Sequence, residues 1–212
     1  MEPFTIHTGN MALLDRGNVD TDQIISKEFL KSISRTGFGP HLFHDWRYLP
    51  DGKPNPHFEL NNPVYEGATI LVAGNNFGCG SSREHAVWAI SQYGFKVVMA
   101  PIYERHGEII PAFADIFRNN SSKNGLLLIE LPEKTVNEIK KFVSENAPLQ
   151  ATIDLPSQSI TLHLSPEKKV YHFLMDAGLK QKFLEGLDEI GMTERYIPQI
   201  EAFEAKHSTQ MV

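Results

Sequence analysis

The segment GNNFGCGSSREHA, from Gly74 to Ala86, concentrates residues whose types and spacing are suited to chemistry. Gly78 and Gly80 carry no side chain, so the backbone can approach a ligand closely at both positions. Ser81 and Ser82 add two adjacent hydroxyl groups, which can donate and accept hydrogen bonds. The pattern is that of a turn shaped around a small polar molecule.

This segment leads directly into a predicted helix, REHAVWAISQY, which ends before Gly94. The unpaired N–H groups and the dipole at a helix N-terminus attract anions. Ser81 followed three residues later by Glu84 predicts a capping box at this end. Arg83 adds a guanidinium that can pair with a carboxylate through two hydrogen bonds. The segment therefore predicts a turn that binds a carboxylate or a phosphate.

Other motifs fit the segment less well. A dinucleotide fingerprint needs a third glycine where Arg83 stands, and a Walker A loop needs a G-K-[ST] run that is absent. Neither serine occupies a G-x-S-x-G elbow. A thiol enzyme based on Cys79 and His85 stays open, although Cys79 is equally suited as a small residue in a tight turn. Serines that only cap the helix are the non-functional alternative, which the contiguity of the segment disfavours.

Composition limits the class of protein. The 212 residues are 41% hydrophobic, which is compatible with one domain over residues 1–212, with a peripheral helical extension from about residue 176. The net charge of −6, without a basic run, disfavours a nucleic-acid partner. No apolar run approaches the ~20 residues that span a bilayer, and the N-terminus does not resemble a signal peptide. We therefore expect a cytoplasmic protein without a membrane partner.

The chain has a single cysteine, Cys79. It can form no internal disulfide, which agrees with a reducing cytoplasm. An iron–sulfur cluster usually needs three or four thiolates. If the chemistry needs such a cluster, another chain must supply it.

The elements around the Gly-rich segment predict a parallel sheet. Ala68–Gly74 and Lys96–Ile102 are apolar, β-branched runs typical of buried strands, and the helix between them implies a right-handed crossover. Gly125–Leu131 predicts a third strand, after which Pro132 opens a helix to about Ser144. The sequence thus predicts an α/β fold in which the Gly-rich segment joins a strand to a helix.

The C-terminal part has a different pattern. The runs QATIDL and SITLHL alternate apolar and polar residues around PSQS, which predicts an antiparallel hairpin. VYHFLM is a candidate further strand, and amphipathic helical patterns begin near Asp176. We expect a mixed sheet with a parallel core flanked by helices, and a helical C-terminal tail.

The Gly-rich segment resembles the signature of the swivelling β/β/α domain of the aconitase superfamily. Other segments resemble the small subunits of 3-isopropylmalate dehydratase in particular, and they match in chain order over nearly the whole length. These segments are NVDTDQII (18–25), RTGFGPHLFHDWRYLPDGKPNPHFELN (35–61), FADIFRNNSSKNGLL (113–127) and GLDEIGMT (186–193).

The resemblance implies a lyase of leucine biosynthesis. In that family, 2-isopropylmalate loses water to give 2-isopropylmaleate, and water returns at the neighbouring carbon to give 3-isopropylmalate. It also implies a large subunit that carries a [4Fe–4S] cluster, in a heterodimer or heterotetramer with this chain. No cofactor and no metal site is expected in this chain itself.

The resemblance also assigns roles to residues of the segment. Ser81 matches the serine whose alkoxide removes a proton next to a carboxylate. Ser82 and Arg83 match positions that hold substrate carboxylates, while Cys79 and Gly80 shape the loop and lie against the substrate. A serine hydroxyl is a very weak acid, so strong donors such as a helix N-terminus and a guanidinium would have to stabilise the alkoxide.

Further positions carry expectations with a structural alternative. Glu84 is expected to complete the helix cap, and His85 to contact the site indirectly. Asp20 and Asp22 match the N-terminal motif of the family, but short acidic side chains also form turns. Leu49 is expected to contact the branched alkyl group of the substrate, with ordinary packing as its alternative.

The sequence departs from the family at two places. About ten extra residues stand within Ile102–Ala112. They are expected to form a surface bulge, an extra helical turn or a contact with a partner. Gly178 and Leu179 replace an aromatic residue and an arginine.

The related hydro-lyase small subunits that act on citraconate-type or homoaconitate-type substrates stay as alternatives, as does a binding module without catalysis. His41 and His44 lack a further ligand at metal spacing, which disfavours a zinc site.

Overall fold

The computed structural model describes residues 1–31, 34–81 and 83–207, and it shows a mixed β-sheet flanked by helices. The described residues form an eight-stranded sheet in which β4, β3, β2, β1, β6, β7 and β8 are neighbours in that order, while β5 pairs with β3. The strands are β1 (Ile6–Leu14), β2 (Ile70–Ala73), β3 (Val97–Arg105), β4 (Glu108–Ile110), β5 (Leu127–Pro132), β6 (Gln150–Asp154), β7 (Ser159–Leu162) and β8 (Lys169–His172).

Helices connect the parallel strands and follow the last strand. Between β1 and β2 the chain is mostly irregular, with short 3-10 turns at Lys27–Lys31, Gly39–His41, Glu59–Asn61 and Pro63–Tyr65. The α-helices are α1 (Thr21–Ile24), α2 (His44–Arg47), α3 (Glu84–Tyr93), α4 (Asp115–Asn124), α5 (Glu133–Asn146), α6 (Ala177–Glu185), α7 (Glu189–Glu194) and α8 (Ile197–His207).

The sheet joins a parallel half to an antiparallel half at β1. β2 runs parallel to β1 and β3, and β5 runs parallel to β3. On the other side of β1, the strands β6, β7 and β8 are antiparallel. The predicted parallel core, the predicted hairpin and the helical C-terminal end are confirmed.

The sheet separates two hydrophobic clusters, because successive side chains of a strand point to opposite faces. In β2, Leu71 belongs to one cluster and Val72 to the other. The first, which we name the aromatic cluster, packs beneath α3 and α4 and contains Phe38, Phe43, Phe58, Phe77, Phe95, Phe113 and Phe117. The second, which we name the aliphatic cluster, packs beneath α5 and contains Val136, Ile139 and Val143 together with apolar residues of β6 and β7.

Three elements differ from the sequence-based expectations. Strand β1 was not predicted, and its residues pair with β2 on one side and β6 on the other. β3 extends to Arg105 and turns back into β4. Helix α4 was not predicted, since its sequence DIFRNNSSKN has few strong helix formers.

The described part of the chain contains no helix that is both long and apolar enough to cross a membrane. Its C-terminal helix, α8, buries none of its residues.

Candidate functional site

The Gly-rich loop, residues 74–81, connects β2 to the segment before α3. It therefore lies at the carboxyl end of a parallel strand. Ligands of open α/β sheets bind in crevices at these ends, because the loops there converge and helices begin there. The Gly-rich loop therefore lies where this architecture favours a ligand-binding site.

The N-terminal segment holds the loop by main-chain hydrogen bonds. The Gly78 N–H donates to the Val19 carbonyl at 2.7 Å, and the Thr21 N–H donates to the Cys79 carbonyl at 3.0 Å. The Thr21 hydroxyl, which is buried, donates to the carbonyl of Ser81 at 2.7 Å. This last bond fixes the backbone of the predicted base directly.

Asp20 has a structural role in this attachment. Its carboxylate accepts the Gln23 N–H at 2.8 Å, and the Gln23 side chain accepts the Asp20 N–H at 2.9 Å. These reciprocal bonds form a capping box at the start of α1. Asp20 therefore stabilises the helix that carries Thr21, as its turn-forming alternative predicted. Gln23 was not identified from the sequence, although its spacing from Asp20 is that of a capping box.

Asp22 forms an ion pair with the predicted carboxylate-binding arginine. The Arg83 guanidinium donates from Nη1 to Oδ1 of Asp22, and Lys27 Nζ lies 3.7 Å from the other carboxylate oxygen. The Arg83 side chain is 12% exposed and that of Asp22 is 41% exposed. The pair occupies one edge of a guanidinium that has five donors, so the remaining donors can bind an anion.

Gly78 and Gly80 adopt left-handed backbone conformations that disfavour other residues, with φ of 75° and 87°. A methyl group at Gly78 would overlap the ring of Phe117, a member of the aromatic cluster. The loop can therefore lie against α4 only because residue 78 has no side chain.

The predicted capping box between Ser81 and Glu84 does not form. Helix α3 begins at Glu84, with Arg83 as its N-cap residue and no cap from that side chain. Glu84 instead accepts a hydrogen bond from the Asn124 side-chain amide at 2.9 Å, and the Oδ1 of the same amide accepts the Trp88 indole N–H at 2.9 Å. This network ties α3 to the end of α4, a contact between distant residues that local spacing does not reveal.

The side chain of Ser81 is exposed and lies three residues before the first residue of α3. Ser82, the second predicted serine, lies outside the described residues. The His85 ring makes edge contacts with the rings of Phe38 and Trp88, at centroid distances of 5.2 and 4.7 Å. These contacts hold His85 in the aromatic packing behind the loop.

The environment of Cys79 disfavours a thiolate. Burial, and then the nearby Asp20 carboxylate, raise the pKa of the Cys79 thiol above its ordinary value. A reactive cysteine needs the opposite shift. The thiol-enzyme alternative is therefore not supported, and Cys79 acts through its backbone carbonyl, which accepts from Thr21.

Leu49 lies on a turn after α2 and is 39% exposed. It lines an open groove of about 360 Å³ with His44, Asp45, Tyr48, Pro50 and Gly52. Among the described residues, none of the Gly-rich loop lines this groove. The structure thus leaves Leu49 available to a ligand but does not bring it into one cavity with the loop.

One group of side chains has metal-ligating atoms close together. The ligand atoms of Glu28, His44 and Asp45 lie within 4.8 Å of one another. His41 is not part of this group, and its ring stacks on Phe29 at a centroid distance of 3.9 Å. The group is built largely from exposed acidic side chains, which often cluster without a metal.

Comparison with known proteins identifies the family. The chain is 52% identical to the 3-isopropylmalate dehydratase small subunit of Desulforapulum autotrophicum, over 100% of this chain and 98% of that protein. It is 53% identical to the small subunit of the same name from Anoxybacillus flavithermus, over 98% of this chain and 100% of that protein. The chain belongs to the 3-isopropylmalate dehydratase small-subunit family.

Two further comparisons agree with this assignment. The Aconitase C-terminal domain model matches residues 1–134, which include the Gly-rich loop and the N-terminal segment that holds it. The crystal structure of 3-isopropylmalate dehydratase (leuD) from Methanocaldococcus jannaschii superposes with a TM-score of 0.62 at 24% identity, over 93% of this chain and 99% of that chain. The aconitase-type fold expected from the sequence is confirmed.

Gly178 and Leu179 lie on α6, beyond the part matched by the domain model. The Leu179 N–H donates to Asp176, the N-cap of this helix, at 2.9 Å. The Leu179 side chain packs against the aliphatic cluster. Leucine at this position therefore adds to the core.

Proposed function

We propose that this chain is the small subunit of an enzyme that interconverts 2-isopropylmalate and 3-isopropylmalate through 2-isopropylmaleate in leucine biosynthesis. The observation that carries the proposal is that Ser81, at the end of the Gly-rich loop, and Arg83, at the N-cap of α3, are both presented at the carboxyl edge of the parallel sheet. Full-length identity of about half to dehydratase small subunits supports the same reaction.

Ser81 is proposed as the base. Its Oγ, as the alkoxide, accepts the proton from the carbon next to a substrate carboxylate while the hydroxyl group on the neighbouring carbon departs as hydroxide, so that a double bond forms. The proton then returns to the carbon that lost the hydroxyl, and the hydroxide adds to the carbon that lost the proton, which completes the isomerisation. Because the Thr21 hydroxyl binds the Ser81 carbonyl, the backbone that carries this base is held in place before substrate arrives.

Arg83 is proposed to bind a substrate carboxylate, and Ser82 is proposed to contribute to the same binding. Its guanidinium is largely shielded from water, which strengthens a charge-assisted hydrogen bond. The Asp22 carboxylate restrains one edge of the guanidinium, so that Arg83 needs little reordering when it binds an anion. The N-terminus of α3 adds a positive potential on the same side.

The chain cannot hold an iron–sulfur cluster by itself, because Cys79 is its single cysteine. A [4Fe–4S] cluster on a large subunit would supply Lewis-acid chemistry at the substrate hydroxyl and carboxylate. The small-subunit names of the relatives imply a large-subunit partner. We propose a heterodimer or a heterotetramer, active in the cytoplasm, where a lone thiol is stable.

The test is a reconstitution with the large subunit from the same organism. The two subunits are purified together, the cluster is rebuilt without oxygen, and hydration of 2-isopropylmaleate is followed by the loss of its ultraviolet absorbance. Citraconate is offered under the same conditions. The proposal predicts higher kcat/KM for isopropylmaleate.

A preference for citraconate would contradict the proposed substrate and assign the chain to a related hydro-lyase. A stable, cluster-loaded complex without activity on either compound would contradict a catalytic role. That outcome would favour the binding-module alternative.

A further inference from the structure

The lengthened segment Ile102–Ala112 folds as a β-hairpin beside the Gly-rich loop. β3 and β4 pair through Arg105 with Glu108, and the two residues between them, His106 and Gly107, have φ of 54° and 80°. Two consecutive positive φ angles are typical of the tight turn that matches the twist of a two-stranded hairpin. The segment is therefore a regular, defined projection.

The base of the hairpin is attached to the loop. The Asn76 N–H donates to the Pro111 carbonyl at 2.9 Å, and the Phe77 N–H donates to the Ala112 carbonyl at 2.9 Å. The hairpin thus rises from the same edge of the sheet as Ser81 and Arg83.

The hairpin projects beyond the end of β2. The last β2–β3 pair is Val72 with Met99, and Glu104 lies five residues further along β3. At ~3.3 Å per residue, Glu104 is about 16 Å beyond that pair.

One face of the hairpin lies on the side of the sheet that carries the loop. In β3, Ala100 belongs to the aromatic cluster and Ile102 packs against it. Since side chains alternate, Glu104 continues this face, and its cross-strand partner Ile109 shares it. Ile109 is 73% exposed, an unusual degree for a large apolar side chain in a strand.

We propose that this face, formed by Glu104 and Ile109, is part of the surface that binds the large subunit. The inference rests on the proposed function, which requires the large subunit to reach Ser81 and Arg83. A stable interface buries ~800 Å² on each partner, a patch roughly 28 Å across. A short loop cannot supply this area, whereas a hairpin that rises from the same edge of the sheet and extends ~16 Å past the end of β2 can form part of such a patch.

The side chains of this face indicate which groups of the large subunit would contact them. Ile109 fits an apolar pocket, and Glu104 fits a cationic residue at its rim. Arg105, on the opposite face, lies 3.9 Å from Glu133 and therefore points away from this contact.

The experiment measures the dissociation constant of the complex. The large subunit is immobilised without oxygen, and wild type, Ile109→Lys and Ile109→Thr are titrated over it. Ile6→Lys is the matched control, because Ile6 is 61% exposed at the amino end of β1. Melting temperatures establish that each variant is folded, and Ile109→Thr keeps a β-branched residue in the strand.

Ile109→Lys is expected to weaken binding about tenfold and Ile109→Thr about threefold, with Ile6→Lys unchanged. At saturating large subunit, kcat stays within about twofold of wild type, since the Ile109 side chain is mostly exposed on the projecting hairpin. Folded Ile109 variants that bind like wild type would overturn the inference. So would self-association of the chain alone that depends on Ile109, because the occupant would then be a second copy.

Binding is measured without turnover, which separates the two proposals. An inactive complex whose affinity depends on Ile109 would contradict the proposed reaction and leave the contact intact. An active complex whose affinity does not depend on Ile109 would support the proposed reaction and contradict the proposed contact.

Discussion

The two faces of the sheet are built differently. The aliphatic cluster is covered by the regular helix α5 and by apolar residues of β6 and β7. The aromatic cluster is covered partly by irregular chain between β1 and β2, held by phenylalanine rings. The Gly-rich loop lies on the aromatic side, where Phe117 packs against Gly78. The comparison indicates that one face mainly stabilises the fold, while the other also positions the site.

The largest expected effect is a loss of stability on either face, and its consequence for kcat should differ between the faces. Ile139→Ala and Ile90→Ala each remove a fully buried side chain, from the aliphatic and aromatic clusters respectively. Each should lower the free energy of unfolding by ~2–5 kcal/mol. Below the melting transition, Ile139→Ala should keep the kcat of the complex, whereas Ile90→Ala, on α3 behind the loop, should reduce it. Equal kcat for both folded variants would remove the distinction between the faces.

The next effect concerns substrate binding on the aromatic side. Arg83→Lys keeps the charge near Asp22 but loses the planar fork. We expect a loss of ~1.5–3 kcal/mol in binding energy, seen as a KM about 10- to 150-fold higher. Arg195→Lys is the control, since Arg195 pairs with Glu185 at the surface. An unchanged KM in Arg83→Lys would contradict a contact in which the Arg83 guanidinium binds a substrate carboxylate through two hydrogen bonds.

A smaller effect tests the attachment of the loop. Thr21→Val removes the hydroxyl that binds the Ser81 carbonyl but keeps the shape of the side chain. Loss of about 1 kcal/mol of positioning should lower kcat about fivefold. Thr21→Ser, which keeps a hydroxyl but loses the methyl group, should restore kcat. If Thr21→Val acted only through packing, Thr21→Ser would not restore kcat. Equal kcat in wild type and Thr21→Val would show that this bond does not position the base.

The smallest effect is chemical. Because burial raises the pKa of the Cys79 thiol, less thiolate is present at pH 7 than for a free cysteine. Iodoacetamide should therefore alkylate Cys79 more slowly than a model thiol at pH 7, with the rate rising as pH approaches the raised pKa. Mass spectrometry follows the reaction. Alkylation faster than the model thiol would restore the possibility of a reactive cysteine.

The sequence was most informative for contiguous features. The strand, Gly-rich loop and helix around Ser81 follow from apolar runs and glycine positions, and β6 and β7 follow from alternation. The capping box assigned to Ser81 and Glu84 was wrong, because Glu84 binds Asn124, a partner 40 residues away. A rule based on local spacing does not include hydrogen-bond partners that are distant in the sequence.

The supports of the site were harder to predict for the same reason. Thr21 and Ser81 are 60 residues apart, so their hydrogen bond depends on the packing of β1 beside β2. The ion pair between Asp22 and Arg83 likewise joins residues that are distant in the sequence. Residue types identified the chemistry of the loop, whereas only the tertiary structure shows what holds it.

The most direct test of the account is the kcat of the reconstituted complex with Ser81→Ala. Ser144→Ala, an exposed serine on α5 across the sheet, is the control. If Ser81 is the base, its loss should lower kcat by about 10³-fold while melting temperature and large-subunit affinity stay at wild-type values. Ser144→Ala should match wild type. A Ser81→Ala complex with wild-type kcat would contradict the central claim that this loop supplies the base.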